Sequence, residues 1–415
     1  MSKEIIWQPS KEQIENSKLT KFIQHCKLNN YDELEKKSFS DPGWLWDNVI
    51  KFSDLKFYKP YSKILDESKG TPWTRWCIGG KTNIVLNCID RHKDKEFFKN
   101  TFIFAEREDG KESSITYEEF DKQISKVGNT LKINGFKKGD VIALYMPQFI
   151  ETYIAYFAIL KIGCVVLPLF SGYGSKAVIE RLNIAKAKGI FTVEKTFRKA
   201  KEIRMFDQIK NELDQVISLE KIFLLGKEKG KKIFNWENFQ NVSDNLKTEE
   251  TDAEDPAIIH FTSGTTGVPK AALFTNVKIV AGSTNITMAG YRLTSEDCMY
   301  NCLPLYHSTG LILGLCATIK VGASTFIKRK FSASSFWPEA QKFNTTAFVY
   351  VGELCRYLSF QEPCPEEVNN PISKMVGNGL RPDLWDTFRN RFNVERICEI
   401  YGASEANGMF MNLLN

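Results

Sequence analysis

The sequence predicts an α/β fold of mostly parallel sheets flanked by helices, and three observations carry that reading. Short apolar runs alternate with helix-length stretches along most of the chain, the pattern of a parallel sheet. The polar, glycine-bearing motifs fall at the ends of those runs, where open α/β sheets place their ligands. At 415 residues, 43% hydrophobic and 26% charged, the chain has material for more than one core.

Taken in order, residues 1–100 are rich in Trp, Tyr and Asn with little periodicity, and read as an amino-terminal extension wrapped over a main domain of residues 101–415. Within that domain 141–145 reads as a buried strand, 148–162 as a helix and 164–168 as the next strand, with further strands over 188–193, 221–225 and 257–261. Past a polar loop come a strand over 271–274, a helix near 277–290 and a strand over 299–303. Helices over 309–320, 333–343 and 382–392 then alternate with strands over 324–328, 346–351, 374–376 and 397–401. The most apolar stretch, 153–170, is broken by Lys161 and Gly163, so it reads as a buried helix and strand rather than a membrane span.

Composition narrows the function class. The start Met1-Ser2-Lys3-Glu4 lacks the apolar core of a secretory signal, which predicts an intracellular, cytoplasmic protein. Ten cysteines are scattered without a Cys-x-x-Cys pair, and only four histidines are present, so reduced, mostly buried thiols are expected rather than zinc or disulfides. The net charge of +6 comes mainly from lysines, in runs such as Lys227-Glu228-Lys229-Gly230-Lys231-Lys232. No aromatic residues interleave there, which argues against nucleic acid; an anionic substrate or peripheral contact with an anionic membrane surface stays open. The oligomeric state is not legible.

The most informative segment is Phe261-Thr262-Ser263-Gly264-Thr265-Thr266-Gly267-Val268-Pro269-Lys270. Its glycines let backbone N–H groups approach an anion, its hydroxyls add donors and Lys270 adds a positive charge, so it reads as a triphosphate cradle. It is not a Walker A loop: Val268 and Pro269 separate Gly267 from Lys270, and Ala271 stands where a magnesium-binding hydroxyl would. A polar hairpin turn between two strands is the plainer alternative.

Downstream stand Leu303-Pro304-Leu305-Tyr306-His307-Ser308-Thr309-Gly310, then Gly377-Asn378-Gly379-Leu380, then Tyr401-Gly402-Ala403-Ser404-Glu405. In this order and spacing they resemble the core motifs of the AMP-forming adenylate synthetases, the superfamily of acyl-CoA synthetases, luciferases and peptide-synthetase adenylation domains. From about Asp255 onward the wording is similar to the fatty acid transport proteins, or very long-chain acyl-CoA synthetases, as in Asn301-Cys302-Leu303-Pro304-Leu305-Tyr306-His307-Ser308 and Tyr350-Val351-Gly352-Glu353-Leu354-Cys355-Arg356. The first half, with Gly79-Gly80-Lys81-Thr82-Asn83, Asn87-Cys88-Ile89-Asp90-Arg91-His92 and Phe170-Ser171-Gly172-Tyr173-Gly174, resembles the acetyl-CoA synthetases and their amino-terminal extension. A family between two branches and a frame joining two pieces are both consistent with this.

The resemblance implies the large amino-terminal domain of an adenylate-forming enzyme, with ATP, magnesium and coenzyme A as its cofactors or co-substrates and a fatty acid or other carboxylic acid as its substrate. It implies that Thr262, Ser263, Gly264, Thr265, Thr266, Gly267 and Lys270 cradle phosphates, that Gly377, Asn378, Gly379, Tyr401 and Gly402 seat the base, that Ser404 donates to the α-phosphate and that Glu405 binds magnesium. Lys270, His307 and Glu405 would serve catalysis, although His307 by spacing alone is equally a satisfied core side chain. His307 would orient the acyl carboxylate, with Gly310 and Gly352 lining the acyl channel. Arg198, Lys199 and Lys201 match a cluster that meets coenzyme A phosphates, a solvated basic turn being the alternative. The expected activity is AMP-forming ligation of a long or very long fatty acid to coenzyme A; acetate or propionate ligation is the alternative. The family continues past Glu405 through a ribose-binding Asp, a hinge and a small mobile domain with an essential lysine, so the chain reads as truncated and impaired alone. A non-catalytic nucleotide- or acyl-binding protein aiding fatty acid uptake is the rival from another class.

Overall fold

The computed structural model describes residues 8–107, 110–198, 201–262, 269–403 and 409–412. Two large sheets organise them. The first has seven strands in the order Ile233–Asn235, Lys221–Leu225, Gly189–Val193, Val141–Tyr145, Val165–Pro168, Pro256–Thr262 and Lys270–Thr275. Its neighbours run parallel except the final pair. The second has eight, in the order Met409–Asn412, Arg396–Gly402, Lys374–Asn378, Ala347–Val351, Cys298–Asn301, Ser324–Lys328, Thr101–Glu106 and Glu112–Thr116. Only its two edge pairs are antiparallel. The α/β architecture expected from the alternation is therefore the one observed, and the strands expected over 141–145, 221–225 and 324–328 have those bounds.

The central strands of the first sheet, such as Val141–Tyr145 and Val165–Pro168, are almost wholly apolar because both faces are covered. The helix Ile150–Lys161 is buried from Thr152 to Lys161, apolar all round as a central helix should be. Among the described residues no helix is long and apolar enough to cross a membrane. All ten cysteines are free thiols, eight of them buried.

Residues before 101 are closely tied to the sheets. Asn83 caps the helix Ile84–Cys88 and donates through Nδ2 to the carbonyls of Leu160 at 3.0 Å and Glu249 at 3.1 Å. His92 Nε2 lies 3.1 Å from the carbonyls of both Ile319 and Lys320. The helices Lys18–His25, Tyr31–Ser40 and Pro42–Phe52 close a small separate core around Phe22, Ile23 and Leu34.

The helix expected over 309–320 departs from the α form: Thr309–Cys316 is π-helical and only Ala317–Ile319 is α. Asn301 explains the widening. Its buried Nδ2 donates 3.1 Å to the carbonyl of Gly310, and a Cβ on Gly314 would lie 2.6 Å from that same nitrogen. A side-chain amide inserted against the first turns replaces part of the ordinary ladder, a recognised cause of π-bulges at functional sites.

Candidate active site

Strand Pro256–Thr262 turns back into Lys270–Thr275 with Thr262 paired to Lys270, so the phosphate loop expected from the sequence is also a hairpin loop. Ser263, Gly264, Thr265, Thr266 and Gly267 lie outside the described residues. At the loop's two ends Lys270 is exposed and Thr262 is half-buried, its Oγ1 enclosed without a hydrogen-bond partner among the described residues. His260, two residues earlier, shares a strand face with Thr262. Burial pushes its imidazole down to about 3, and repulsion from His307 and Lys278 adds to this. First-sheet His260 is thus within electrostatic reach of His307, which follows a strand of the second sheet.

His307 occupies a loop held at both ends by one residue. Asn301 Oδ1 accepts from the N–H of Leu303 at 3.2 Å while its Nδ2 donates to the carbonyl of Gly310, so residues 303–310 leave and return at a single buried amide. Gly310 itself packs on the carbonyls of Leu303 and Pro304, where a Cβ would lie within 2.6 Å of both oxygens. His307 is open to solvent on one side yet crowded enough that desolvation lowers its pKa. Its Nδ1 accepts the backbone N–H of Thr309 at 3.2 Å, which places the neutral ring's proton on Nε2, the free end.

On the adjacent strands of the second sheet, Gly377 and Asn378 end Lys374–Asn378 and Gly379 turns with φ +83°. Glu399 anchors that turn: its carboxylate accepts the backbone N–H groups of Gly379 and, at 3.3 Å, of Leu380, and the hydroxyl of Tyr350 at 2.5 Å. Gly352 presses on the turn so closely that a Cβ there would overlap the carbonyl of Gly379, and a Cβ on Gly377 would overlap that of Tyr350. Tyr401, on the same strand face as Glu399, is 78% exposed and paired with the equally exposed Phe410, and Gly402 is exposed beside it. Ser404 and Glu405 lie outside the described residues. Strands Arg396–Gly402, Lys374–Asn378, Ala347–Val351 and Cys298–Asn301 are parallel neighbours, so Tyr401, Gly377–Gly379, Gly352 and the His307 loop all emerge at the same edge.

The basic cluster sits apart, on the hairpin Thr196–Arg198 and Lys201–Ile203, where Arg198 pairs with Lys201. Lys201 is exposed, and Lys199 lies outside the described residues. Thr196 Oγ1 accepts from Arg329 at 3.2 Å, and Arg329 lines a cavity of about 220 Å³ with Met146, Phe170, Ser171, Leu305 and Tyr306. The rings of Phe170 and Tyr306 meet there at 5.0 Å. Sequence reasoning missed Asn301, Glu399 and His260 as site residues. Glu399 left a signal, a carboxylate inside the apolar run Ile397-Cys398-Glu399-Ile400-Tyr401; Asn301 and His260 acquire their roles only from tertiary neighbours.

The description "AMP-binding enzyme" matches residues 87–415, and "Acetyl-coenzyme A synthetase N-terminus" matches residues 31–88. The long-chain fatty acid transport protein 6 of Mus musculus is 33% identical over 309 residues, covering 72% of this chain and 47% of the relative. The medium/long-chain fatty-acid–CoA ligase FadD6 of Mycobacterium tuberculosis is 30% identical over 305 residues, covering 73% and 49%. The chain thus spans about half the length of the curated relatives it matches. Among solved structures, the acetoacetyl-CoA synthetase of Streptomyces lividans superposes with a TM-score of 0.83 over 96% of this chain and 64% of its own, at 18% identity, a likeness of fold. With a match running from residue 87 to the last residue, the chain belongs to the AMP-binding enzyme family, among the adenylate-forming acyl-CoA synthetases.

Proposed function

We propose that the full-length protein activates a fatty acid as its acyl-adenylate and passes the acyl group to coenzyme A, favouring medium to very long chains. The observation that carries this is the gathering of the His307 loop, the Gly377–Gly379 turn and Tyr401 at one edge of the second sheet. The residues present suit a nucleotide. Thr262 Oγ1 is an enclosed hydroxyl without a partner among the described residues, at the mouth of a glycine-rich loop.

In this reading Thr262, Lys270 and the loop between them hold the triphosphate, and Tyr401 stacks on the base beside Gly377, Asn378, Gly379 and Gly402. Ser404 donates to the α-phosphate. Glu405, a hard oxygen ligand, holds magnesium, which supplies charge neutralisation as carboxylate and phosphate approach. His307 offers Nε2–H to the acyl carboxylate next to Gly310 and Gly352. Arg198, Lys199 and Lys201 meet the coenzyme A phosphates. The wording of the second half and the fatty acid names of the relatives favour long chains, whereas the match of residues 31–88 to the acetyl-coenzyme A synthetase amino terminus favours a short-chain acid as second reading.

Calorimetric titration of magnesium–ATP tests the nucleotide site: Lys270→Ala and Glu405→Gln are each expected to weaken binding by about tenfold, the worth of a lost charged contact. Wild-type affinity in both variants would remove the assignment. Hydroxamate trapping over a panel of carboxylic acids then reads adenylation, and products found only on a carrier protein, with none on free coenzyme A, would sink the ligase reading.

A further inference from the structure

His260 has no role in the function proposed above, yet its surroundings are unusual. It is 3% exposed on strand Pro256–Thr262, its ring 5.0 Å from that of Phe274, and its Nε2 has no hydrogen-bond partner among the described residues. Thr262 Oγ1, on the same strand face, is likewise enclosed and unpartnered. Buried polar atoms are nearly always bonded, so two such atoms on one strand face are both available to a ligand. Burial keeps the imidazole neutral at physiological pH, with His307 and Lys278 as the charged or titratable neighbours that reinforce this. A neutral imidazole carrying its proton on Nε2 can donate to an anion without forming a salt bridge.

We propose that His260 is a further ligand-binding residue of this site, donating with Thr262 to an oxyanion, phosphoryl or carboxylate. The proposal rests on the adenylate-forming reading, and one experiment separates the failure of each. The protein is labelled with ¹⁵N-histidine and titrated with magnesium–ATP and, separately, with octanoate. His260→Phe removes the donor while keeping an aromatic shape, and His260→Gln keeps a donor.

His260 is expected to carry its proton on Nε2 and to shift on saturation with one of the two ligands, which identifies the oxyanion. His260→Phe should weaken that ligand by about tenfold, the scale of one buried hydrogen bond, with an unchanged or higher melting temperature, and His260→Gln should recover part of the loss. If wild type binds while His260→Phe binds both ligands equally well and the resonance stays fixed, the imidazole serves only an ordered water and the proposal falls alone. If wild type binds neither ligand, the adenylate-forming reading falls and takes the proposal with it.

Discussion

Asn301 shows how one amide can position a reactive loop. It satisfies the N–H of Leu303 and the carbonyl of Gly310, and between those two points the chain has room for one turn that presents His307. Asn301→Ala strands both backbone groups in a buried place, so a loss of about 1–3 kcal/mol in stability is expected, read as a lower urea midpoint. Because His307 depends on that loop, ATP–pyrophosphate exchange in the full-length protein should fall further than the lost stability explains, at temperatures where the variant is fully folded. Exchange at the wild-type rate in a folded Asn301→Ala protein would mean that the loop keeps its shape without the clamp. The residue was visible in the sequence as part of a motif. Its function was not, since an asparagine next to an apolar strand carries no local sign that it will meet a glycine carbonyl nine positions later.

Among elements, the strands were the most legible, because a parallel strand buried on both faces is apolar without interruption. The helix Tyr117–Ile133 left equally plain signals that went unused: a capping box of Thr116 with Glu119, and buried Tyr117, Phe120, Ile124, Val127 and Leu131 at helical spacing. What this helix does for the fold was hidden. It carries Asp121, which pairs at 2.8 Å with Lys161, a fully enclosed ammonium at the end of the central helix, and at 2.9 Å with Lys93. Lys93 in turn meets Asp90 at 2.9 Å, whose other oxygen accepts from Thr248 at 2.6 Å, so an ionic chain running from enclosed Lys161 to exposed Lys93 joins the amino-terminal segment to two helices of the main body. Burial, with repulsion from Lys93 added, lowers the Lys161 pKa, and attraction to Asp121 and Asp90 opposes this. Asp121→Asn should cost about 3–5 kcal/mol, the penalty for an uncompensated buried charge, whereas the double variant Asp121→Asn with Lys161→Met should recover much of it. Urea unfolding of both variants decides the matter: a mild Asp121→Asn effect, or no recovery in the double variant, would show that the chain of charges is solvated in the native protein.

At the scale of the whole molecule the fold class and family were open to reading because the motifs lie at strand ends in a fixed order, whereas the acyl tail leaves a fainter mark. Its space is set by side chains from several elements, and the two halves of the sequence point to different acids. The resemblance to the acetyl-CoA synthetases implies that an acetate-specific pocket would be closed by a tryptophan in the segment that here reads Ile400-Tyr401-Gly402-Ala403-Ser404-Glu405. Gly402 and Ala403 are small and exposed, so no indole fills that position. The opposing consideration is Tyr306, whose ring against Phe170 walls a cavity of only about 220 Å³, and a long tail passing that way would require the two rings to part. On the proposed function, each methylene that remains enclosed should gain about 0.8 kcal/mol, or roughly a factor of four in kcat/KM. In the full-length enzyme octanoate is therefore expected to exceed acetate by orders of magnitude, with palmitate at least equal to octanoate. Tyr306→Ala distinguishes the two routes: if the tail runs past the tyrosine, the variant gains on palmitate alone, and if it runs beside Gly402 and Ala403 the ranking is unchanged. A wild-type enzyme that prefers acetate would show that the substrate is reported by the acetyl-CoA synthetase-like first half and that the open floor at Gly402 is closed by another side chain.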